Sequence, residues 1–302
     1  MQLNKKYIGA IYLSLASSIW GGTFVVSKYI LNYIPPLTLI TLRYILAVLA
    51  LFIFIKFISK EKLKKITKKD GFLFLLIGFI GYFLSISLQF LGTKLTDAHT
   101  GSVLTASTPA FTIIFAKLIL KEKITLKKII SLLIASLGVL VVIGYGGSNG
   151  FNFLGDLALI GAAITWALLS VLVKIASKNN SSLIVTAYAI FIGLIFTIPF
   201  TVFELKSTPV TYINLNIILG LIYIGVISTA IAFFLWNKGL EMVDTGIGSL
   251  FFFFQPLVGS FLGWFLLNEK LGMNFFIGGV LILSSVFVVS YEKTPELIEV
   301  KE

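Results

Sequence analysis

Apolar residues run through this chain in blocks of about 20, the length of helix that crosses a hydrocarbon core. The blocks cover roughly 7–27, 37–58, 72–92, 98–120, 126–144, 155–175, 183–203, 214–236, 245–267 and 274–291, and short polar connections separate them. The pattern predicts ten membrane-spanning helices and leaves no connection long enough for a soluble domain. The first block follows Lys5 and Lys6 as a signal peptide would, but it outruns the 7–15 apolar residues of such a segment. It is expected to stay in place as a helix.

The blocks are not independent. The stretch Gly92–Lys123 returns without a gap 147 positions later as Gly239–Lys270, with Gly92 on Gly239, Asp97 on Asp244, Gly101 on Gly248, Ser102 on Ser249, Pro109 on Pro256, Glu122 on Glu269 and Lys123 on Lys270. Matches at Gly, Pro, Asp and Glu do not come from a shared Leu/Ile/Phe background, so they mark a duplicated unit. Earlier in the chain Ala16, Trp20 and Lys28 fall on Ala162, Trp166 and Lys174 at an offset of 146. The expected division is 1–150 for one five-helix repeat and 151–302 for the other, joined by the outer linker Gly144–Gly155. That linker superficially resembles a phosphate-cradling loop, but Asn149 stands where the third Gly of G-x-G-x-x-G belongs.

Composition agrees with the pattern: 58% of residues are apolar and 12% charged, too few polar residues to cover a water-soluble globule. The net charge of +11 raises the question of nucleic acid, and the placement of the lysines answers it. With the N-terminus taken as cytoplasmic, 19 lysines fall in inner segments, seven of them at Lys56–Lys69, and only Lys28, Lys94, Lys206 and Lys270 fall outside. The positive-inside rule therefore sets both termini in the cytoplasm of a multi-pass inner-membrane protein, with no role for nucleic acid. Five helices per repeat is an odd number, so the second repeat must cross in the opposite sense. The lysines carry the same sign: the inner connection Lys121–Lys128 is rich in them, whereas its mate Asn268–Phe275 keeps only Lys270. Inverted repeats of this kind are a common plan of secondary transporters.

The absence of Cys removes disulfides and thiolate chemistry, and the one histidine, His99, cannot build a metal site alone. No cofactor is expected. His99 lies close to Asp97, where it could sense pH or simply sit at the interface.

The first helix reads SSIWGGTFVVSKYI, the second opens LTLITLRYILA, the fourth reads GSVLTASTPAFTIIFAKLILKEKIT and the ninth ends LLNEKL. In this order and on these helices the motifs resemble the EamA family of the drug/metabolite transporter superfamily, over nearly the whole chain. The resemblance implies an all-α membrane protein of ten transmembrane helices in two inverted-topology five-helix repeats. It further implies that the first four helices of each half surround a central cavity, while the fifth helps hold the halves together.

Candidate site residues follow from side-chain chemistry at mid-membrane. Pro109 and Pro256 sit near the centres of their spans, where each is expected to kink its helix and free the carbonyl four residues back, at Thr105 and Phe252. Trp20 and Trp166 lie well inside their spans rather than at headgroup level, as core filling or as the walls of a pocket for an apolar or ring-shaped group. Arg43, the one arginine, matches the family's arginine in the second helix; it either ties the helix ends together or receives a substrate carboxylate. Thr23, Ser107 and Gln255 complete the expected lining, with Gln89 and Asn237 as further hydrogen-bonders. The pairs Glu122–Lys123 and Glu269–Lys270 are expected as gate-side ion pairs, and Gly259 and Gly263 as a site of close intramolecular packing.

No Asp or Glu lies in the middle of a span, which disfavours the membrane-embedded glutamate design of small cation exporters. The expected function is alternating-access movement of a small organic metabolite, an amino acid or related zwitterion, outward across the membrane. The substrate and the lipid bilayer are the expected partners, and a monomer or weak homodimer the expected state. The alternative is a lipid-handling protein, either a lipid translocator or an isoprenoid-type enzyme; the enzyme would call for clustered carboxylates or a His-rich face, which the sequence lacks.

Overall fold

A computed structural model describes residues 2–59, 66–96, 101, 104–143, 152–267 and 272–290. Asp97, His99, Ser102, Glu269, Lys270, the Lys60–Lys65 run, most of the linker before Gly155 and the tail from Glu292 lie outside the described residues. The described chain is helical and contains no strand. In order the helices are α1 (Gln2–Ile30), α2 (Pro36–Phe54, continued by a π turn), α3 (Lys68–Leu95), α4 (Thr108–Leu120), α5 (Leu126–Ile143), α6 (Phe153–Ala176), α7 (Ser182–Ser207), α8 (Leu215–Met242), α9 (245–267) and α10 (Met273–Ser290). Seven of them are long and apolar enough over their described residues to cross a membrane.

Short polar side chains start the helices. Thr67 and Asp70 form a capping box at α3, and Asn152, Ser181, Asn214 and Asp244 each accept an amide hydrogen bond at the first turn of α6, α7, α8 and α9. At α2, Pro36 occupies the first turn and the Glu204 carboxylate, at the end of α7, takes the amides of Leu37 and Thr38 at 3.1 and 2.7 Å.

The two repeats are interleaved, not side by side. The most extensive contacts cross between halves: α1 lies on α8 and α9 while α6 lies on α3 and α4, α2 on α8 while α7 lies on α3, α2 on α7, and α5 on α10. Exchanging the repeats turns this set into itself, which is the pseudo-two-fold symmetry of a duplicated, inverted fold. The helices of the two repeats thereby form two mixed groups of four, α1–α2–α8–α9 and α3–α4–α6–α7, with α5 and α10 paired. Close approach requires glycine at two contacts. A Cβ on Gly21 of α1 would stand 2.8 Å from the Gln255 carbonyl of α9, and one on Gly138 of α5 would stand 2.9 Å from the Gly278 carbonyl of α10. Gly259 sits against Gly21, so the described half of its motif packs within the molecule.

Two irregularities recur by symmetry. Nine residues of π-helix, Ile77–Ser85 and Tyr223–Ile231, interrupt α3 and α8 at positions 146 apart. The chain also departs from α-helix ahead of each expected proline, at Ala106–Ser107 and in the 3₁₀ turn Leu250–Phe253. The prolines thus stand in the first turn of a resumed helix, where a missing N–H costs nothing, and each expected kink takes the form of a break. Ser107 and Thr108 hydroxyls re-satisfy the freed carbonyls of Leu104 and Thr105 at 2.6 Å each.

Candidate functional site

A cavity opens where both groups of helices meet. It is lined by Trp20 and Thr23 from α1, Arg43 from α2, Ser85, Ile86 and Gln89 from α3, Thr105 and Thr108 before and within α4, Ala162, Ala163 and Trp166 from α6, Phe233 from α8, and Phe252 and Gln255 from α9. Its volume is about 30 Å³. That is room for roughly two or three waters, so the described conformer is constricted.

Aromatic rings supply the constriction. The Trp20 and Trp166 rings meet edge to face at 5.4 Å, and Phe233 and Phe252 close the same cluster at 5.4–6.1 Å from Trp166 and 5.5–5.6 Å from Trp20. Both tryptophans are buried at 6% exposure, but their indole N–H groups differ. Trp20 donates to the Ser228 carbonyl at 2.9 Å, a group presented by the π segment of α8, and Thr23 and Ser228 hydroxyls bond at 2.7 Å beside it. The equivalent carbonyl in the first repeat is that of Tyr82, in the π segment of α3, and it is already taken by the Tyr44 hydroxyl. Trp166 Nε1 has no partner among the described residues.

Arg43 is buried to 1% exposure. Its Nε donates to Thr229 Oγ1 at 2.7 Å, and its guanidinium carbon lies 5.2, 5.5 and 5.8 Å from the ring centres of Phe90, Phe233 and Tyr44. No carboxylate among the described residues pairs with it, and Nη1 has no hydrogen-bond acceptor.

Of the residues singled out in sequence, Trp20, Thr23, Arg43, Trp166, Gln255 and Gln89 converge on this cavity. Ser107, Pro109 and Pro256 do not line it: the Ser107 hydroxyl turns back onto Leu104, and the two prolines are buried, flanking the breaks that shape the wall. Asn237 lies behind the cavity, donating to Tyr82 and Thr186 at 3.2 and 2.8 Å. Sequence reasoning missed Phe233 and Phe252, which look like any apolar residue, and Ser85, whose only signal was a hydroxyl inside an apolar block.

Polar ties close the structure above and below. On the face that carries the N-terminus, the Glu122 carboxylate, past the end of α4, accepts the amides of Thr245 and Gly246 at 3.0 and 3.1 Å, and Lys128 bonds Asp244 at 2.8 Å. Glu122 therefore reaches across to α9 and Lys128 instead of pairing with Lys123. Burial, and then the hydrogen bond and charge of Asp244, push the Glu122 carboxyl above the usual carboxylate range. Burial acts the same way on Asp244, but its hydrogen bonds to Glu122 and Lys128 and the Lys128 charge hold it below that range.

Comparison with known proteins agrees with this architecture. The model of the EamA-like transporter family matches residues 7–144 and again 153–291. The chain is 30% identical over 297 residues to the uncharacterized transporter YetK of Bacillus subtilis, covering 96% of this chain and 89% of that protein. It is 28% identical to the uncharacterized transporter YyaM of the same organism, covering 94% of each, and 25% identical to an uncharacterized transporter of Archaeoglobus fulgidus, covering 93% and 96%. A solved crystal structure with 17% identity superposes with a TM-score of 0.74 over 94% of this chain and 96% of the other, a likeness of fold. With the family's pattern present once in each repeat, the chain belongs to the EamA-like transporter family.

Proposed function

We propose that this protein carries a small organic metabolite, an amino acid or related zwitterion, outward across the cytoplasmic membrane by alternating access. The observation that carries this reading is the cavity shared by symmetry-related Trp20 and Trp166, walled from both repeats. A duplicated, inverted fold supplies two related conformations by exchanging the roles of its halves. Because the helices of the two repeats interleave, the bodies that rock are the mixed groups α1–α2–α8–α9 and α3–α4–α6–α7. The constricted conformer is the intermediate between inward-open and outward-open states, and loading requires the ring cluster to part.

The test is a metabolite survey of cells with and without the protein, followed by movement of the accumulating solutes in proteoliposomes with and without a pH gradient. Solutes retained in the deletion and moved by the purified protein are the expected result. Liposomes that move none of them would overturn the reading.

A further inference from the structure

The cavity holds two buried hydrogen-bond donors with nothing to donate to. Among described buried polar side-chain atoms that lack a partner, Arg43 Nη1 and Trp166 Nε1 are the ones whose residues line the cavity. Phe233 neighbours both residues, its ring centre 5.5 Å from the guanidinium carbon and 5.4 Å from the indole centre. An unpaired donor in a low-dielectric site is costly, and an unpaired charge more so. The described residues offer Arg43 one neutral hydroxyl, Thr229, and three ring faces, but no acid. Among the described residues the cavity wall thus carries a single positive charge, with uncharged hydroxyls and amides as its other polar groups.

We infer that the missing acceptor is a carboxylate on the cargo, taken by Arg43 Nη1 and Trp166 Nε1, with the apolar part of the cargo against Trp20, Phe233 and Phe252. This deepens the transport reading and rests on it. One guanidinium balances a monoanion; a phosphate dianion would leave a surplus charge in an apolar wall. A plain carboxylate and the carboxylate of a zwitterion share this chemistry, and an ammonium group alone has no acidic partner among the described lining residues. Recognition by a buried Arg with a second fixed donor rejects neutral isosteres, because an amide leaves the guanidinium uncompensated.

The experiment measures binding to the purified full-length protein by thermal shift and tryptophan fluorescence. The probes are phenylacetate, phenylalanine, phenylacetamide and phenethylamine, with acetate and indoleacetate extending the carboxylates in size. At least one ring carboxylate is expected to bind roughly tenfold or more tightly than its amide or amine counterpart. Arg43→Gln should remove that preference, Arg43→Lys should weaken carboxylate binding about tenfold, and Trp166→Phe, which keeps a ring and removes the N–H, should weaken it severalfold. If Arg43→Gln fails to fold, the Lys and Phe variants decide. Equal binding of amide or amine, no binding of any carboxylate, or unchanged carboxylate affinity in the variants would overturn the inference. Counterflow in proteoliposomes separates this from the transport reading. Movement of amides or amines but not carboxylates leaves transport standing and sinks the carboxylate site; carboxylates that bind but are not moved do the reverse.

Discussion

Lys28 and Lys174 perform the same act on opposite faces of the molecule. Lys28 Nζ, at the end of α1, donates to the carbonyls of Thr93 and Thr96 at the C-terminus of α3, at 3.0 and 2.7 Å. Lys174 Nζ, at the end of α6, donates to the carbonyls of Leu240 and Val243 at the C-terminus of α8, both at 2.5 Å. Each cation thereby completes a helix end whose last carbonyls lack internal partners. Each also ties one mixed four-helix group to the other, and both ties are made at once in the constricted conformer.

We predict that Lys28→Met and Lys174→Met each lower stability by about 1–2 kcal/mol and open opposite faces. The chain has no cysteine, so spin labels can be placed cleanly. Labels at Tyr29 and Lys94 should move apart in Lys28→Met only, and labels at Lys178 and Lys238 in Lys174→Met only. The same response at both faces in either variant would show that the lysines are not separate ties.

The two matched tryptophans should part company on conservative substitution. Trp20→Phe leaves the Ser228 carbonyl without its donor, whereas Trp166→Phe breaks no hydrogen bond. Trp20→Phe is expected to lose about 1 kcal/mol more stability than Trp166→Phe, read as the difference in Tm. Full truncation, Trp20→Ala or Trp166→Ala, should abolish transport while protein is still recovered folded in detergent; normal flux would place both outside the site.

Stability of the contact at the N-terminal face should depend on pH with a definite sign. The Glu122 carboxyl is raised, so its contribution is complete below the ordinary carboxylate value and is lost as pH rises through the raised one. Asp244 is depressed, so its contribution is present above the ordinary value and is lost as pH falls through the depressed one. Glu122→Gln, which stays neutral, should gain in Tm relative to the parent protein as pH is increased above the carboxylate range. A difference that does not change with pH would refute the assignment.

Glycine substitutions should rank by clearance between α1 and α9. A Cβ on Gly21 meets the Gln255 carbonyl at 2.8 Å, while one on Gly259 meets the Gly21 carbonyl at 3.3 Å. Gly21→Ala should cost about 1–3 kcal/mol and Gly259→Ala less, measured by thermal unfolding; the reverse order would argue against backbone contact at this crossing.

Which residues face the cavity was only partly legible. Polar or rare residues inside apolar blocks, such as Trp20, Thr23, Arg43 and Gln255, announced themselves because lipid gives them no partner. Phe233 and Phe252 did not, because a phenylalanine suits lipid, a packed interior and a cavity wall equally. On α2, Leu49 and Phe52 are exposed while Tyr44 and Ala47 are buried, although all four lie in one apolar run. Ser107 misled for the opposite reason: its hydroxyl found a carbonyl three residues back in its own segment, the local alternative that Ser always has.

From the order of residues alone come the helix count, the duplication, the opposed sense of the two repeats and the outline of a polar centre. These depend on block length, exact recurrence and the cost of charge in lipid, all of which are properties of the chain itself. The interleaving of the halves, the π segments of α3 and α8, and the unpaired donors of Trp166 and Arg43 belong to the tertiary structure. They arise from which helix faces meet and which acceptors those faces present to a donor, and hydropathy in an apolar solvent carries no record of either.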